Sequence, residues 1–363
     1  MSRPPAARHT SPVHVRLASY RDLSQVDDLY RATELADPEL GRRLQGAGPQ
    51  SPVPGAALAR AWYILTKGLS SFVPLADVSD QLFVAEDCGR VVGFIQAEPA
   101  PGGRSWQVLN LCTAPEATDG TVAGRLLEQL FAEGLGRGVH RFLVRIPADH
   151  PLQTAFRAQG FHPYVTEQIR FRELPAPPGD DPSPWVPARP QDLGGIHSLY
   201  LRTAPHAVAA VEAPSLKQWR ATFQLGWLAR VDARAGDSRH WVIDRGAGVV
   251  GWAGVRLPAR ARPSLVAAML DPQDASLAVE AVHSLLTQIP KGPTLWVLRH
   301  YESELTRAVA ARGFEAIATQ LLMVRDLPLK LRSPAPARQR AVLAKAALPL
   351  AGARTAARPL PPG

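Results

Sequence analysis

The sequence has few cysteines and no long apolar run. Its 363 residues include two cysteines, Cys88 and Cys112, which excludes a disulfide framework and fits a reducing compartment. No uninterrupted apolar stretch is long enough to cross a bilayer, and Met1–Val13 is proline-rich, polar and basic, unlike a signal peptide. The cysteines and histidines show no metal-ligand spacing. These absences predict a cytoplasmic protein without a metal site and without a membrane partner.

Acidic residues are missing from the C-terminal end. The net charge is +9, but the segment Pro328–Gly363 alone carries seven Lys or Arg residues and no Asp or Glu. The rest of the chain is therefore close to neutral. A basic tail rich in proline and alanine is typical of a disordered, solubilising end. We expect no nucleic-acid partner, and only this tail offers a surface for one.

The sequence does contain an internal repeat. The clearest pair is Gly160–Leu174 and Gly313–Leu327, which have the same length, open on Gly-Phe and close on Arg, an acidic residue and Leu. Three further pairs follow the same order upstream: Asp22-Leu23 with Asp192-Leu193, Phe83–Phe94 with Trp241–Trp252, and Arg141–Pro147 with Thr294–His300. Repetition in a fixed order predicts two copies of one fold.

Proline-rich segments mark the boundaries between the copies. Pro175–Pro184 reads PAPPGDDPSP and is typical of a linker. We therefore expect five parts: a disordered tail over 1–12, an N-terminal domain over 13–174, a linker over 175–184, a C-terminal domain over 185–327 and a basic tail over 328–363.

Hydrophobic spacing predicts the same element order in both copies. A strand and an amphipathic helix come first, an irregular insert follows, and then a hairpin leads into strand–helix–strand–helix–strand. The inserts are Leu35–Asp80, with a helix near Ala57–Leu65, and the helix-rich Ser215–Ala229. The order predicts an α/β or α+β fold with a mixed sheet between helices.

In this order and in these motifs the chain resembles the GNAT acyltransferase superfamily in a tandem two-domain form. The resemblance covers nearly all of Val13–Leu327, and its diagnostic parts are the strand–loop–helix after the hairpin and the helix that ends before Gly-Phe. It implies two copies of the acyl-CoA N-acyltransferase (GNAT) fold. It also implies an N-acetyltransferase that moves an acetyl group from acetyl-CoA to an amine.

The resemblance places the cofactor in the first copy. In the family, backbone N–H groups of the strand-to-helix loop and the helix dipole hold the pyrophosphate of acetyl-CoA, and the pantetheine arm lies where two parallel strands splay. Pro115 starts this loop, and Leu126 and Leu127 lie at the family's distance from it. The expected cofactor-binding residues are Leu111, Cys112, Thr113, Thr118, Asp119, Gly120, Thr121, Val122, Ala123, Gly124 and Arg125.

This loop departs from the family's pattern, and the second copy departs further. Thr118 stands where Arg or Gln is usual, and Thr121 and Ala123 stand where the family has glycines. The second copy has no glycine after Asp271-Pro272, and Asp274 puts a negative charge where a phosphate would bind. We expect the second copy to be a scaffold and a wall of the acceptor site.

No catalytic residue can be assigned from the sequence. Many members of the family use a tyrosine on the helix before Gly-Phe as a general acid, but that position is Phe156 in the first copy and Val309 in the second. The amine would then attack the thioester directly, with positioning and a backbone oxyanion donor as the catalytic aids. A catalytically silent tandem module that binds or senses a ligand is the alternative.

Three other residues, and Cys112 of the cofactor-binding set, could act chemically at the site. Asp149 is interpreted as the N-cap of a helix that begins at Pro151, with a role as a base through water as the alternative. Tyr164 and Glu167 are interpreted as edge-strand surface rather than cleft residues. Cys112 is interpreted as a small buried apolar residue rather than a nucleophile.

The acceptor itself is not named by the sequence, and we expect its cleft between Leu35–Asp80 and the second copy.

Overall fold

The computed structural model describes residues 13–35, 81–100, 104–117, 120–173, 183–212, 238–246, 248–256, 263–274, 276–289 and 292–328. The chain divides into a unit from Met1 to Asp326 and a second unit from Leu327 to Gly363. Of the second unit only Leu327 and Pro328 are described. Both inserts, the N-terminal tail, and nearly all of the basic tail and the linker that the sequence predicts lie outside the described residues.

Twelve strands and seven α-helices make up the described part of the first unit. The strands are β1 His14–Leu17, β2 Leu82–Asp87, β3 Arg90–Pro99, β4 Ser105–Thr113, β5 Arg141–Pro147, β6 His162–Arg172, β7 Val186–Pro187, β8 Ser238–Asp244, β9 Val249–Arg256, β10 Ser264–Leu270, β11 Thr294–Arg299 and β12 Glu315–Asp326. The helices are α1 Leu23–Leu35, α2 Thr121–Gly136, α3 Gln153–Ala158, α4 Leu193–Thr203, α5 His206–Glu212, α6 Leu277–Gln288 and α7 Ser303–Ala311.

All twelve strands belong to one sheet, in the order β1-β2-β3-β4-β5-β12-β6-β11-β10-β9-β8-β7. The pairs β4–β5 and β10–β11 are parallel, and the other neighbouring pairs are antiparallel. The mixed sheet with helices matches the predicted fold. Within the described residues, the shared order of strands and helices that the sequence predicts for the two repeats is also confirmed.

The two repeats exchange their last strands. β12, from the C-terminal repeat, lies between β5 and β6, and β6, from the N-terminal repeat, lies between β12 and β11. Glu167 is paired with Gln320 across these strands, and the two residues hold the same position in the two copies of the repeated segment. A position that pairs with its own counterpart marks a pseudo-twofold axis. The two repeats therefore join into one continuous sheet around this pair.

The same local chemistry starts the first helix of each repeat. The Asp22 carboxylate accepts hydrogen bonds from the backbone N–H and the hydroxyl of Ser19, at 2.6 and 2.8 Å. The Asp192 carboxylate accepts from the backbone N–H of Arg189 at 2.7 Å. Each aspartate closes the short 3-10 turn that leads into α1 or α4. The match of Asp22 with Asp192, noted in the sequence, is therefore a match of structure.

Helices cover both faces of the sheet. On one face α2 places Phe131 edge-on against Phe142 of β5, with ring centroids 4.9 Å apart. On the other face α1 packs Leu29 into a cluster that contains Phe94 and Cys112. In the C-terminal repeat α6 and α7 enclose the fully buried Trp296. These layers fix α2 and the ends of β4 and β5, which carry the candidate site.

Candidate functional site

The parallel strands β4 and β5 separate part of the way along their length. Their pairing runs from Ser105 with Arg141 to Val108 with Val144, whereas the strands continue to Thr113 and Pro147. β4 also has a bulge against β3, because Ala97 is paired with Val108 and Gln96 with Asn110, which leaves Leu109 without an opposite residue. The result is an opening between the carboxyl ends of two parallel strands.

Helix α2 begins at this opening with a glycine as its N-cap. Gly120 has φ +74° and ψ −4°, a left-handed conformation that glycine adopts at low cost. A Cβ built on Gly120 would meet no described atom within 4 Å other than its chain neighbours, so no described side chain packs against this residue. The N–H groups of the first helical turn have no acceptor within the helix and carry its positive dipole end. This end can hold an anion.

A close approach of β3 fixes the position of this helix start. A Cβ on Gly93 would lie 2.7 Å from Cγ1 of Val122, 3.1 Å from the Cys112 carbonyl oxygen and 3.2 Å from Cδ1 of Leu126. Glycine is therefore needed at this point of β3 for the first turn of α2 to rest on the sheet.

The structure gathers part of the expected cofactor-binding set around the start of α2. Leu111 and Cys112 are buried on β4, and Cys112 packs in an apolar cluster, which supports its interpretation as a small apolar residue. Arg125 donates to the Val13 carbonyl at 2.7 Å. Thr118 and Asp119 lie outside the described residues. The assignment of these residues to the cofactor stays a prediction.

The corresponding helix in the C-terminal repeat holds a carboxylate of its own. Oδ1 of Asp274 accepts from the backbone N–H of Leu277 at 3.1 Å and from the Ser276 hydroxyl at 2.7 Å. Arg245 lies 2.5 Å from the same carboxylate. The Ser276 hydroxyl, the helix N–H groups and Arg245 together lower the pKa of Asp274. The anion position at the start of α6 is thus filled from within the chain.

The C-terminal repeat keeps the splay but not the bulge. β10 and β11 pair only from Ser264 with Thr294 to Val266 with Trp296. The register of β10 with β9 runs without a shift from Leu265 to Leu270. The two repeats therefore have the same strand layout and differ in their helix starts and in the bulge.

The two positions at which the family has a catalytic tyrosine are core positions here. Phe156 is 1% exposed, and its ring meets that of Phe161 edge-on at 5.2 Å between centroids. Val309 is fully buried in the core of the C-terminal repeat. Neither side chain can donate a proton, and both contribute packing.

Two sequence interpretations are wrong. Asp149 is not an N-cap, because α3 begins at Gln153 with Leu152 as its N-cap, and Asp149 is exposed in the preceding turn. The N–H of Leu152 instead donates to Nδ1 of His150 at 3.1 Å. Tyr164 and Glu167 are not on an edge, since β6 is a central strand; Glu167 is fully buried, and the Tyr164 hydroxyl bonds to Glu212. Strand exchange, which no local signal predicts, placed β6 inside the sheet.

A cluster of buried polar side chains surrounds the pseudo-twofold axis, and we call it the junction network: Arg145, Glu167, Glu212, Arg299 and Gln320. Gln320 donates from Nε2 to Glu167 at 2.7 Å, and the Arg145 and Arg299 guanidiniums lie 3.3 and 3.5 Å from the Glu167 carboxylate. Arg299 makes a two-pronged ion pair with Glu212 of α5, at 2.8 and 2.9 Å. Opposite charges balance here, as buried charges require.

Hydroxyl groups and one more carboxyl extend the junction network. Tyr164 and Tyr200 donate to Glu212 at 3.3 and 3.2 Å, and burial raises the pKa of both phenols. Burial also raises the pKa of Glu302 to about 7. This happens although the Glu302 carboxylate accepts a hydrogen bond from the backbone N–H of Arg299 at 2.8 Å. Phenols with raised pKa values stay protonated at neutral pH, so both hydroxyls keep donating to Glu212 and help to hold α5 on the sheet.

Sequence reasoning missed most of this network. Helix α5, which carries Glu212, was not predicted, and Arg145 and Arg299 gave no signal on their strands. The one available signal was that Glu167 and Gln320, both polar, hold equivalent positions in otherwise apolar repeats. In the described ranges no group of three His, Cys, Asp or Glu side chains is arranged to hold a metal ion. Within the same ranges no helix has the length and apolar character that a membrane span needs.

Comparison with known proteins agrees with this geometry. A GCN5-related N-acetyltransferase from Sphaerobacter thermophilus has a similar structure, with a TM-score of 0.52 at 12% identity over 86% of this chain and 95% of that chain. Two others score lower: a tandem GNAT protein from the clavulanic acid biosynthesis pathway (TM-score 0.45, 16% identity, 86% and 98% covered) and a GCN5-related N-acetyltransferase from Anabaena variabilis (0.42, 12%, 87% and 73%). No curated protein matches the sequence.

The fold is therefore that of a GCN5-related acetyltransferase. Residues 54–161, which end at the Gly-Phe of the N-terminal repeat, match the model of the acetyltransferase (GNAT) family. This segment of the N-terminal repeat therefore matches the family that the resemblance in the sequence predicted.

Proposed function

We propose that this protein transfers an acetyl group from acetyl-CoA to an amine, and that the acetyl-CoA site lies in the N-terminal repeat, over residues 13–174. The C-terminal repeat, over residues 185–327, serves as scaffold. The acceptor class stays open between a small amine, an amino acid and a peptide N-terminus.

One contrast carries the proposal. Helix α2 begins at Gly120, which has no side chain and against which no described side chain packs. Helix α6 begins at Ser276 and Leu277, which already bind the Asp274 carboxylate. A pyrophosphate has room and donors at the first helix, and would meet a fixed negative charge at the second. Of these two helix starts, we therefore assign the anion site to that of the N-terminal repeat.

The chemistry uses backbone groups rather than a side-chain acid. Acetyl-CoA supplies a thioester carbonyl, and the splay of β4 and β5 is the place for it. From Asn110 to Thr113, β4 pairs with β3 but not with β5, so N–H groups on the β5 side of this stretch can donate to an oxyanion. A neutral amine attacks the carbonyl carbon, the C–S bond breaks, and the proton lost by nitrogen goes to solvent or to the departing thiolate.

A binding measurement on the intact protein tests this site. Titration calorimetry with acetyl-CoA and with CoA should show one site per chain, and saturation at a hundredfold over Kd should stabilise the fold by about 2.7 kcal/mol. Release of free thiol is then followed with a panel of amines. Binding without thiol release for any amine would favour the silent module. No binding at all would refute the proposal.

Matched variants locate the site. Thr121→Arg at the start of α2 should abolish CoA binding, because the long side chain occupies the anion position. Ser276→Arg at the start of α6 is the control and should bind CoA like the unchanged protein. Equal losses in both variants, or a loss only in the second, would contradict the assignment to the N-terminal repeat.

A further inference from the structure

An arginine of the C-terminal repeat reaches into the N-terminal repeat beside the candidate cofactor helix. Arg325 lies on β12, and its guanidinium donates to the backbone carbonyl of Gln159, the residue that ends α3. A second contact joins Arg325 Nη1 and Gln159 Oε1 at 3.3 Å. The guanidinium also lies over the ring of Phe131 on α2, 4.0 Å from its centroid. Arg325 thus contacts both helices that flank the cofactor side of the N-terminal repeat.

Gln159 carries this contact to the first turns of α2. Its Nε2 lies 3.4 Å from Oε1 of Glu128, and it would lie 3.3 Å from a Cβ on Gly124. Gly124 is one turn beyond Gly120, and its N–H donates to the Gly120 carbonyl at 2.9 Å. Contacts therefore run from β12 through Gln159 to Glu128 of α2, and the Gln159 amide lies beside Gly124 in the first turn of that helix.

The pseudo-twofold axis relates this arrangement to an equivalent one in the C-terminal repeat. Arg172 of β6 holds the same position in the N-terminal repeat as Arg325 in the C-terminal one. It donates to the carbonyl of Arg312 at 2.9 Å, and its guanidinium lies 5.0 Å from the ring centroid of Phe314. Each exchanged strand thus fixes the end of the helix before Gly-Phe in the opposite repeat.

Because of this exchange, the N-terminal repeat's site depends on a residue outside that repeat. We propose that Arg325 is a positioning residue for acyl-CoA binding, which sets the first turn of α2 through Gln159. The proposal rests on the proposed function, since it needs the anion site at Gly120. It gives the C-terminal repeat a specific part in the reaction beyond that of a scaffold, although its own anion position is filled by Asp274.

The test compares Arg325→Met with Arg172→Met. Methionine keeps much of the apolar stem and removes the guanidinium in both cases. Both variants should lower thermal stability, because each leaves a helix-end carbonyl without its donor. Only Arg325→Met should also raise the Kd for CoA and the KM for acetyl-CoA, by roughly two- to thirtyfold, the range for mutations along a coupling network. Arg172→Met should leave both constants unchanged.

A second variant keeps the test decisive if Arg325→Met fails to fold. Gln159→Ala retains the backbone carbonyl that Arg325 binds and removes only the side-chain contact to α2. It should weaken CoA binding with little change in melting temperature. Unchanged CoA affinity in Gln159→Ala, or equal effects of the two arginine variants on Kd, would overturn the proposal. Absence of CoA binding by the unchanged protein would overturn the proposed function itself.

Discussion

Gly93 is the point at which a single added methyl group should affect both stability and the candidate site. Its Cβ would lie 2.7 Å from Cγ1 of Val122 and 3.1 Å from the Cys112 carbonyl oxygen. Carbon atoms pack at about 3.5–4.0 Å, so the first contact is short by about 1 Å. Val122 is β-branched and has essentially one rotamer in a helix, and the carbonyl belongs to the sheet. Neither can move aside without shifting the backbone.

We expect Gly93→Ala to lower the free energy of unfolding by about 1–2 kcal/mol. Overpacking a dense core costs about 1–3 kcal/mol, and replacing glycine in a strand returns roughly 0.5–1 kcal/mol. The strain should move the first turn of α2 away from β3, so the Kd for CoA should rise as well. Denaturant unfolding and calorimetry with CoA measure the two effects.

The matched control is Gly251→Ala, at the equivalent position of the C-terminal repeat. Its Cβ would meet Cδ1 of Ile243 and Cδ2 of Leu270 at 3.1 Å each. A third contact, with Cβ of Ile243, is at 3.2 Å. All three distances exceed the 2.7 Å at Gly93 and involve side chains away from α2, so the substitution should cost less and leave CoA affinity unchanged. A Gly93→Ala protein as stable as the unchanged one, with the same Kd, would show that α2 does not rest on β3 in this way.

Three further predictions concern pH and backbone conformation. The Arg16 guanidinium, at 2.7 Å, holds the pKa of Asp22 well below its usual range. The ionised Asp22 therefore stabilises the fold above about pH 4, and this contribution is lost as the pH falls. Asp22→Asn should lower the free energy of unfolding by about 2 kcal/mol at pH 7 and should make that free energy depend less on pH in the acid range. Burial raises the pKa of Glu302 to about 7, so this carboxyl affects stability in the opposite direction. The free energy of unfolding should fall as the pH rises from about 4.5 to 7, by up to about 1.4 kcal/mol per pH unit. Glu302→Gln should remove this pH dependence. Gly120→Ala has open space but φ +74°, so it should cost about 1–2 kcal/mol through backbone strain alone, and a neutral result in thermal unfolding would argue against the left-handed N-cap.

The helices and strands could be predicted from the sequence because their signals are local. Glycine ended α3 at Gly160 and α7 at Gly313, both with φ near +80°, as a helix terminator does. The turn between β2 and β3 formed at Cys88 and Gly89, both with positive φ. The predicted cap at Asp149 was wrong, because the chain makes a turn there and starts α3 at Gln153.

The candidate site was only partly predictable. The resemblance placed the site at the start of the helix after β4, and the family match confirms that resemblance, whereas the cofactor-binding residues themselves stay a prediction. The bulge at Leu109 and the close approach at Gly93 depend on which strands and helices become neighbours. No sequence pattern along β3 or β4 specifies those neighbours, so neither the bulge nor the close approach could be predicted from the sequence.

The sequence by itself determined that there are two repeats, which strands and helices they share, and that an aspartate precedes the helix after the hairpin in the second repeat. These properties depend on the spacing of apolar residues and on glycines and aspartates at single positions, all within one turn or strand. The tertiary structure alone decided that the last strands cross over, that Glu167 meets Gln320, and that Arg325 reaches Gln159. The last strands of the two repeats, β6 and β12, have nearly the same sequence pattern, so either strand could pair within either repeat. Only the packing of the whole sheet selects the partner of each strand.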